Sequence, residues 1–290
     1  MSATRDELLT GALLGVRVVS LAINLPGPLA AARLAALGAD VVKVEPPAGD
    51  PVAVVAPGWY AELHERVKVV PLDLKQSDDR AALDELLSEA DVLITSQRPS
   101  ALARLGLDQL TEQLPRLVHV EIVGYDGDRV EEPGHDLTYQ AAYGTLTPPA
   151  MPTIPAADLL GSERAAGTAL AALLARGADG IGGRFRVPLD EAARLAGEAV
   201  RHGLMGDGAP LGGAMPEYRI YAVADGHVAL GAVEPHFAAR VHEHLGTTQS
   251  EIGATLAQRS TGHWEQLAAR VDLPLARITP PTRPGKAHSR

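Results

Sequence analysis

Two stretches of the chain carry side chains that could transfer protons. A Pro-Gly turn precedes His135 and Asp136, and Asp158 lies just before a long segment rich in alanine and leucine. A histidine and an aspartate held at the mouths of two adjacent elements can act as general base and general acid, because the pKa of histidine lies near neutrality. For these residues alone, a turn histidine and a helix-capping aspartate are the simpler interpretation. Other features of the sequence are therefore needed to distinguish a catalytic pair from two structural residues.

The composition excludes several kinds of chemistry. The chain has 290 residues, of which 46% are hydrophobic and 21% charged, as is typical of a globular protein with one large or two ordinary domains. It has no cysteine, so disulfides, thiol catalysis and thiolate zinc sites are excluded. Its net charge of −10 argues against nucleic acid as a partner.

The sequence contains no signal for a membrane or a metal. No stretch has the apolar length of a membrane span, and the first residues lack the apolar core of a signal peptide. The histidines other than His135 show no shared spacing of metal ligands. We therefore expect a soluble cytoplasmic protein with no metal site and no membrane partner.

Strands and helices alternate through the first two thirds of the chain, which predicts a doubly wound, Rossmann-like α/β sheet with parallel strands. A G-x-G-x-x-G motif does not follow the first strand, so a dinucleotide site of the usual kind is disfavoured. The predicted strands lie at 16–21, 40–44, 67–72, 91–95, 117–122 and 184–189, and the predicted helices at 29–37, 78–88, 100–105, 110–114, 162–175 and 191–201.

The composition changes at residues 203–216, which contain five glycines and two prolines. This segment is the expected linker between two domains. Beyond it, two alternating stretches flank Asp225-Gly226 and predict a β-hairpin, followed by a helix over 234–245. The predicted domains are therefore a large one, residues 1–202, and a smaller α+β one, residues 203–290.

Several short sequence blocks occur in a fixed order along the chain. They are 37–47 (LGADVVKVEPP), 49–51 (GDP), 72–75 (LDLK), 90–94 (ADVLI), 98–99 (RP), 115–118 (PRLV) and 134–136 (GHD). In these blocks and their order, the chain resembles the class III CoA-transferases, the CaiB/BaiF family, over most of its length. The resemblance implies that the large domain binds coenzyme A and that two chains form an interlocked homodimer.

Within that family, the chain is most similar to the α-methylacyl-CoA racemase branch. The resemblance implies three catalytic residues: His135 in Gly-His-Asp, Asp158 before the alanine-rich helix, and Glu234 in Gly-Ala-Val-Glu-Pro. In the transferases of the family, the residue that matches Asp158 is a covalent nucleophile.

Racemisation next to a thioester explains why these groups are needed. A weakly acidic α-proton must leave one face of the carbon, and a proton must be delivered to the other face. His135 would serve one face, a partly buried Asp158 the other, and Glu234 would hold the imidazole tautomer if the second domain closes over the first. The intermediate enolate oxygen would be stabilised by the N-terminus of the helix expected near residue 162.

Coenzyme A would enter as part of the substrate, and no tightly bound cofactor is expected. Arg98 is the preferred candidate for a CoA phosphate, with Lys43 and Lys75 as weaker candidates. Tyr139 either lines the acyl pocket or packs in the core, and Asp136 is expected to be a turn residue.

Three functions remain open. The first is a racemase or epimerase of a 2-methylacyl thioester, on CoA or on a carrier protein. The second is a CoA-transferase in which Asp158 forms a covalent acyl adduct. The third is a shortened family member that binds a thioester or a protein partner without turnover, since relatives are expected to continue beyond the region of residue 276.

Overall fold

The computed structural model describes residues 9–280. The chain forms two compact units, residues 1–198 and 199–290. The linker expected from the glycine-rich composition, with a boundary after residue 202, lies close to this division. Each unit has its own apolar core.

The first unit is built on a six-stranded parallel sheet with strand order β3-β2-β1-β4-β5-β6. Helices cover both faces, so the predicted doubly wound α/β architecture is confirmed. The order reverses between β1 and β4, and in such sheets ligands bind at the carboxyl ends of the strands at this switch point. The strands are Arg17–Ser20 (β1), Asp40–Glu45 (β2), Val67–Pro71 (β3), Val92–Thr95 (β4), Val118–Val123 (β5) and Gly183–Pro188 (β6).

The two faces of this sheet bury alternate residues of the same strands. Val18 packs in one apolar cluster with α1 and α8, and Val19 packs in the other with α4, α5 and α6. This alternation follows from the two-residue period of a strand. The helices are Pro26–Ala36 (α1), Pro51–Val55 (α2), Pro57–Leu63 (α3), Ser77–Ser88 (α4), Pro99–Arg104 (α5), Leu110–Gln113 (α6), Asp136–Gln140 (α7), Ala156–Asp179 (α8) and Leu189–Ala196 (α9).

The long helix α8 begins at Ala156, six residues before the predicted start at 162. The Asp136 side chain accepts hydrogen bonds from the backbone N–H groups of Ala157 and Asp158 and thereby caps the helix. The cap comes from a residue twenty positions upstream, so local sequence could not reveal it. Asp158 consequently lies in the first turn of the helix and not before it.

The helix predicted over 191–201 is interrupted. It forms α9 and a short helix Glu198–Arg201 (α10), separated by Gly197. A Cβ atom at Gly197 would lie 2.5 Å from the carbonyl oxygen of Tyr143, so only glycine permits this close approach.

The second unit contains a three-stranded antiparallel sheet with strand order β7-β8-β9. The hairpin predicted around Asp225-Gly226 is present in its first two strands. Helices pack on the sheet and bury Leu256 and Trp264. The indole N–H of Trp264 donates to the carbonyl of Leu256. The elements are Tyr218–Val223 (β7), Gly226–Gly231 (β8), Pro235–His244 (α11), Gln249–Leu256 (α12), Thr261–Val271 (α13) and Leu275–Arg277 (β9).

Among the residues that the structure describes, no helix combines the length and the apolarity that crossing a membrane requires.

Candidate active site

A cavity of about 150 Å³ lies at the carboxyl ends of β1, β4 and β5. This is the edge of the sheet, next to the switch point, where a doubly wound fold places its ligands. The cavity is lined by His135, Asp136, Asp158 and Arg98. The fold therefore brings together two of the three predicted catalytic residues and the preferred phosphate candidate.

His135 is the N-cap residue of α7, and its backbone is held on both sides. Its N–H donates to Thr138 Oγ1 at 2.9 Å, and that hydroxyl donates to the His135 carbonyl at 2.8 Å. The residue as a whole is exposed. A fixed backbone with an accessible imidazole suits a group that exchanges protons with a ligand.

Asp158 is half-buried in the first turn of α8. Burial raises the pKa of its carboxyl group to about 7, and the negative charge of Asp136 adds to this effect. Near neutral pH the carboxyl group is therefore present in both protonation states. It can donate a proton or accept one.

Asp136 has a more specific role than that of a turn residue. Its Oδ1 accepts from Ala157 N at 2.7 Å and from Asp158 N at 3.1 Å, and its Oδ2 accepts from Gln140 Nε2 at 2.6 Å. The carboxylate thus joins α7, which positions His135, to the start of α8, which positions Asp158. The helix starts earlier than predicted, and the N–H groups of Ala157 and Asp158 in its first turn already have an acceptor, so these two donors are not available to an enolate oxygen.

Tyr139 lies in the wall of the cavity and is only 3% exposed. Its ring passes so close to Gly134 that a Cβ atom there would lie 2.3 Å from Tyr139 Cε1. The glycine of the Gly-His-Asp motif is therefore required by the tyrosine four residues after the histidine. Residue pattern alone left the location of Tyr139 open between cavity and core, and the structure shows that both descriptions apply.

The three predicted phosphate ligands lie in different environments. Arg98 is an exposed N-cap residue of α5 and forms no ion pair with any residue between 9 and 280. Lys75 is exposed and lines a second cavity of about 240 Å³ at the carboxyl ends of the same sheet, together with Gln97 and Leu105. Both cations are accessible to an anionic ligand.

Lys43 does not fit its predicted role. Its side chain is 0% exposed, and Nζ lies 2.8 Å from Glu45 Oε1, 2.5 Å from Asp50 Oδ2 and 3.2 Å from His64 Nε2. An ammonium group has three protons to donate, and these three acceptors account for them. Lys43 therefore holds the segment after β2 in place and has no donor left for a phosphate.

Glu234 belongs to the second unit. It is the N-cap residue of α11, it is exposed, and its carbonyl accepts from Phe237 N and Ala238 N. Its proposed interaction with the His135 imidazole stays a prediction. Over the described residues 9–280, no group of three or more histidine, aspartate or glutamate side chains is arranged to hold a metal ion.

Comparisons with known proteins identify the family to which this chain is similar. The family model described as CoA-transferase family III matches residues 13–283. A CaiB/BaiF CoA-transferase family protein of Caenorhabditis elegans is 31% identical over 246 residues, which cover 78% of this chain and 70% of that protein.

Curated relatives include both transferases and a racemase. A cinnamoyl-CoA:phenyllactate CoA-transferase of Clostridium sporogenes is 36% identical over 46% of this chain and 36% of its own length. An alpha-methylacyl-CoA racemase of Mus musculus is 28% identical over 88% of this chain and 69% of its own length. The chain spans only 36% to 44% of the length of three of the curated transferases that it matches.

Solved structures show the same fold. A hypothetical protein from Mycobacterium tuberculosis has a TM-score of 0.77 at 25% identity, covering 92% of this chain and 84% of that one. A CaiB/BaiF family protein from Brucella suis has a TM-score of 0.78 at 23% identity, with coverage of 93% and 85%, and supports the fold alone.

Proposed function

The chain belongs to CoA-transferase family III, and from that premise we propose that it is a racemase or epimerase of 2-methylacyl-CoA thioesters. One observation carries this proposal. His135 and Asp158 line the same cavity, and the pKa of Asp158, raised to about 7, lets it act as an acid near neutral pH. An imidazole and a carboxyl group that can act as an acid, in one cavity, are what inversion of an α-carbon requires.

In the proposed reaction, one of the two groups removes the α-proton and the other delivers a proton to the opposite face. In one direction His135 is the base and a protonated Asp158 is the acid, and in the other direction the roles are exchanged. General acid–base catalysis by a placed side chain contributes roughly 10²–10⁴-fold to such a step. Glu234 is proposed to orient the imidazole.

The CoA part of the substrate is proposed to bind along the carboxyl ends of β1 to β4. Arg98 lies at the rim of the cavity that contains the acid and base, and Lys75 lies at the rim of the second cavity. Two accessible cations on one sheet edge suit a ligand with separate phosphate groups. We also expect a homodimer, by analogy with the resemblance described above.

A CoA-transferase is the second candidate, and the transferases among the curated relatives favour it. In that reaction, the Asp158 carboxylate attacks the thioester carbonyl, the C–S bond breaks and the CoA thiolate leaves with the bonding electrons. The product is an enzyme-bound acyl anhydride. A pKa near 7 leaves enough ionised carboxylate for this step.

Deuterium exchange tests the proposal. We expect the protein to exchange the α-proton of a 2-methylacyl-CoA in deuterated water and to lose the stereochemical purity of the substrate. His135→Ala and Asp158→Ala should abolish exchange or restrict it to one enantiomer. His227→Ala and Asp128→Ala, both at exposed positions outside the cavity, serve as controls.

Hydroxylamine separates the second candidate from the first. A transferase would move the acyl group between CoA and a free acid without exchanging the α-proton, and hydroxylamine would trap its Asp158 adduct. These results together would reject the racemase in favour of the CoA-transferase. If the folded protein catalyses neither reaction with several thioesters, the non-catalytic function becomes the one to pursue.

A further inference from the structure

We propose that Tyr139 is a further catalytic residue, whose hydroxyl donates a hydrogen bond to the thioester oxygen while the α-proton is removed. The inference rests on the proposed function, because it assigns a group to the enolate oxygen of that reaction. It also supplies the donor that the capped N-terminus of α8 cannot provide through Ala157 and Asp158.

The Tyr139 hydroxyl has an unused hydrogen-bonding capacity at the cavity. The residue is 3% exposed and lines the cavity that contains His135 and Asp158. Its hydroxyl has no hydrogen-bond partner anywhere in the described part of the chain. The hydroxyl oxygen is not one of the fully enclosed side-chain atoms that lack a partner, so there is open space beside it for a ligand atom. A ligand oxygen in the cavity would supply that partner.

The ring of Tyr139 is held in place before any ligand arrives. A Cβ atom built on Gly124 would lie 2.5 Å from the Tyr139 hydroxyl oxygen, and one built on Gly134 would lie 2.3 Å from Cε1. The ring of Tyr125 packs edge-on at 5.2 Å between centroids. A donor fixed in this way needs no reorganisation when charge develops, which is the condition for strong stabilisation of an oxyanion.

The hydroxyl also keeps its proton. Burial raises the pKa of Tyr139, and the nearby Tyr125, Asp158 and Asp190 raise it further. A phenol that stays protonated is a donor at every pH at which the enzyme works. Two other polar side chains of the cavity wall, Asn24 and Arg98, are exposed and are not held in this manner. A third, the half-buried Ser96, already has a partner, because its Oγ accepts from Ile23 N.

The step balances with Tyr139 as a donor only. The base takes the α-proton, the C–H electron pair becomes the carbon–carbon double bond, and the carbonyl π electrons move to the oxygen that accepts the hydrogen bond. Delivery of a proton to the opposite face reverses these movements. One proton is taken and one is returned, and the phenol loses none.

The first test compares Tyr139→Phe with Tyr125→Phe. Both changes remove one hydroxyl, and the two rings are in contact, but Tyr125 is not part of the cavity wall. Loss of one oxyanion donor lowers kcat by roughly 10²–10³-fold. We expect this loss in kcat for α-proton exchange by Tyr139→Phe, with KM and the melting temperature close to those of the wild type, and near wild-type kcat for Tyr125→Phe. A Tyr139→Phe variant that keeps its kcat would overturn the inference.

The second test does not depend on turnover. The carbonyl stretch of bound 2-methylpropanoyl-CoA, labelled with carbon-13 at the carbonyl, is measured by isotope-edited infrared spectroscopy. We expect a higher frequency in Tyr139→Phe than in the wild type or in Tyr125→Phe, because a hydrogen bond weakens the carbonyl bond. Equal frequencies, or no binding by the wild type, would overturn the inference. If the frequency shifts in Tyr139→Phe but the wild-type protein does not exchange α-protons, the proposed hydrogen bond is supported and the proposed racemase activity is rejected.

Discussion

At the level of single residues, the proposed chemistry depends on how firmly Asp158 holds its proton. Its carboxyl group is protonated below a pH of about 7 and ionised above it, so the direction in which Asp158 starts as the acid should slow above that pH. The negative charge of Asp136 contributes to the raised pKa. Replacing that charge by a neutral amide should lower the pKa of Asp158.

The matching prediction concerns Asp136→Asn. Its pH–rate profile for α-proton exchange should lose activity at a lower pH than the wild-type profile does, because Asp158 ionises earlier. Asp126→Asn, at an exposed position outside the cavity wall, is the control and should keep the wild-type profile. An unchanged alkaline limb in Asp136→Asn would show that Asp136 does not influence the proton of Asp158.

At Gly134, the addition of a single Cβ atom should destabilise the fold. In Gly134→Ala, the new Cβ atom would lie 2.3 Å from Tyr139 Cε1, so the ring must move. Overpacking of this kind costs about 1–3 kcal/mol. Gly167→Ala is the control, because its Cβ atom meets nothing within 4 Å and helical glycine-to-alanine changes stabilise by about 0.5–1 kcal/mol. Urea unfolding measures both, and equal stabilities would contradict the close contact.

Among the elements, β5 is buried along its whole length and carries a histidine as its second residue. His119 is 1% exposed, its Nε2 lies 2.9 Å from Thr95 Oγ1, and burial lowers its pKa to about 4. In the unfolded chain the pKa is about 6.5. Between these values the unfolded state binds the proton and the folded state does not, so stability falls as the pH falls.

We therefore expect the difference in the pKa of His119 between the folded and unfolded states to lower the free energy of unfolding by about 3 kcal/mol as the pH falls from 7 to 4. In His119→Gln, the free energy of unfolding should decrease less over this range than in the wild type. His227→Gln, at an exposed position on β8, should follow the wild type. Parallel curves for wild type and His119→Gln would mean that the folded protein does not lower the pKa of His119.

The two lysines that the sequence grouped together should behave differently. Lys43→Met leaves the carboxylates of Glu45 and Asp50 buried without their cation, and breaking a buried ion pair in this way costs about 3–5 kcal/mol. Lys75→Met, at an exposed position, should change stability by less than about 0.5 kcal/mol and raise KM for the thioester. If Lys43→Met were as stable as Lys75→Met, the ion-pair cluster would have no structural role.

For the whole molecule, the separate cores of the two units predict that each can be weakened alone. The chain has two tryptophans, and Trp264 lies in the second core. In a Trp59→Phe background, only Trp264 reports unfolding by fluorescence. Leu256→Ala, in the same core, should lower the urea midpoint of that signal, with a cost of about 2–5 kcal/mol.

Leu83→Ala provides the comparison, because Leu83 is fully buried in the first unit. It should leave the Trp264 midpoint close to that of the parent protein. Equal shifts from Leu256→Ala and Leu83→Ala would show that the two cores unfold as one cooperative unit.

The alternation of strand and helix patterns was enough to predict the parallel sheet, and ordered blocks such as Gly-His-Asp were enough to predict the family. These signals are local: hydrophobic periodicity and turn residues act over a few positions, so they can be read without coordinates. The same blocks pointed to His135 and Asp158, which do line one cavity.

The remaining features depend on contacts between residues that are distant in the sequence. The start of α8 is set by Asp136, the burial of Lys43 by Asp50 and His64, and the position of the Tyr139 ring by two glycines on different segments. Caps, ion pairs and close approaches of this kind form only when the fold brings the partners together. For that physical reason, the sequence pattern could name the proposed acid and base, whereas the cap on α8 and the unpaired hydroxyl beside them depend on the three-dimensional packing.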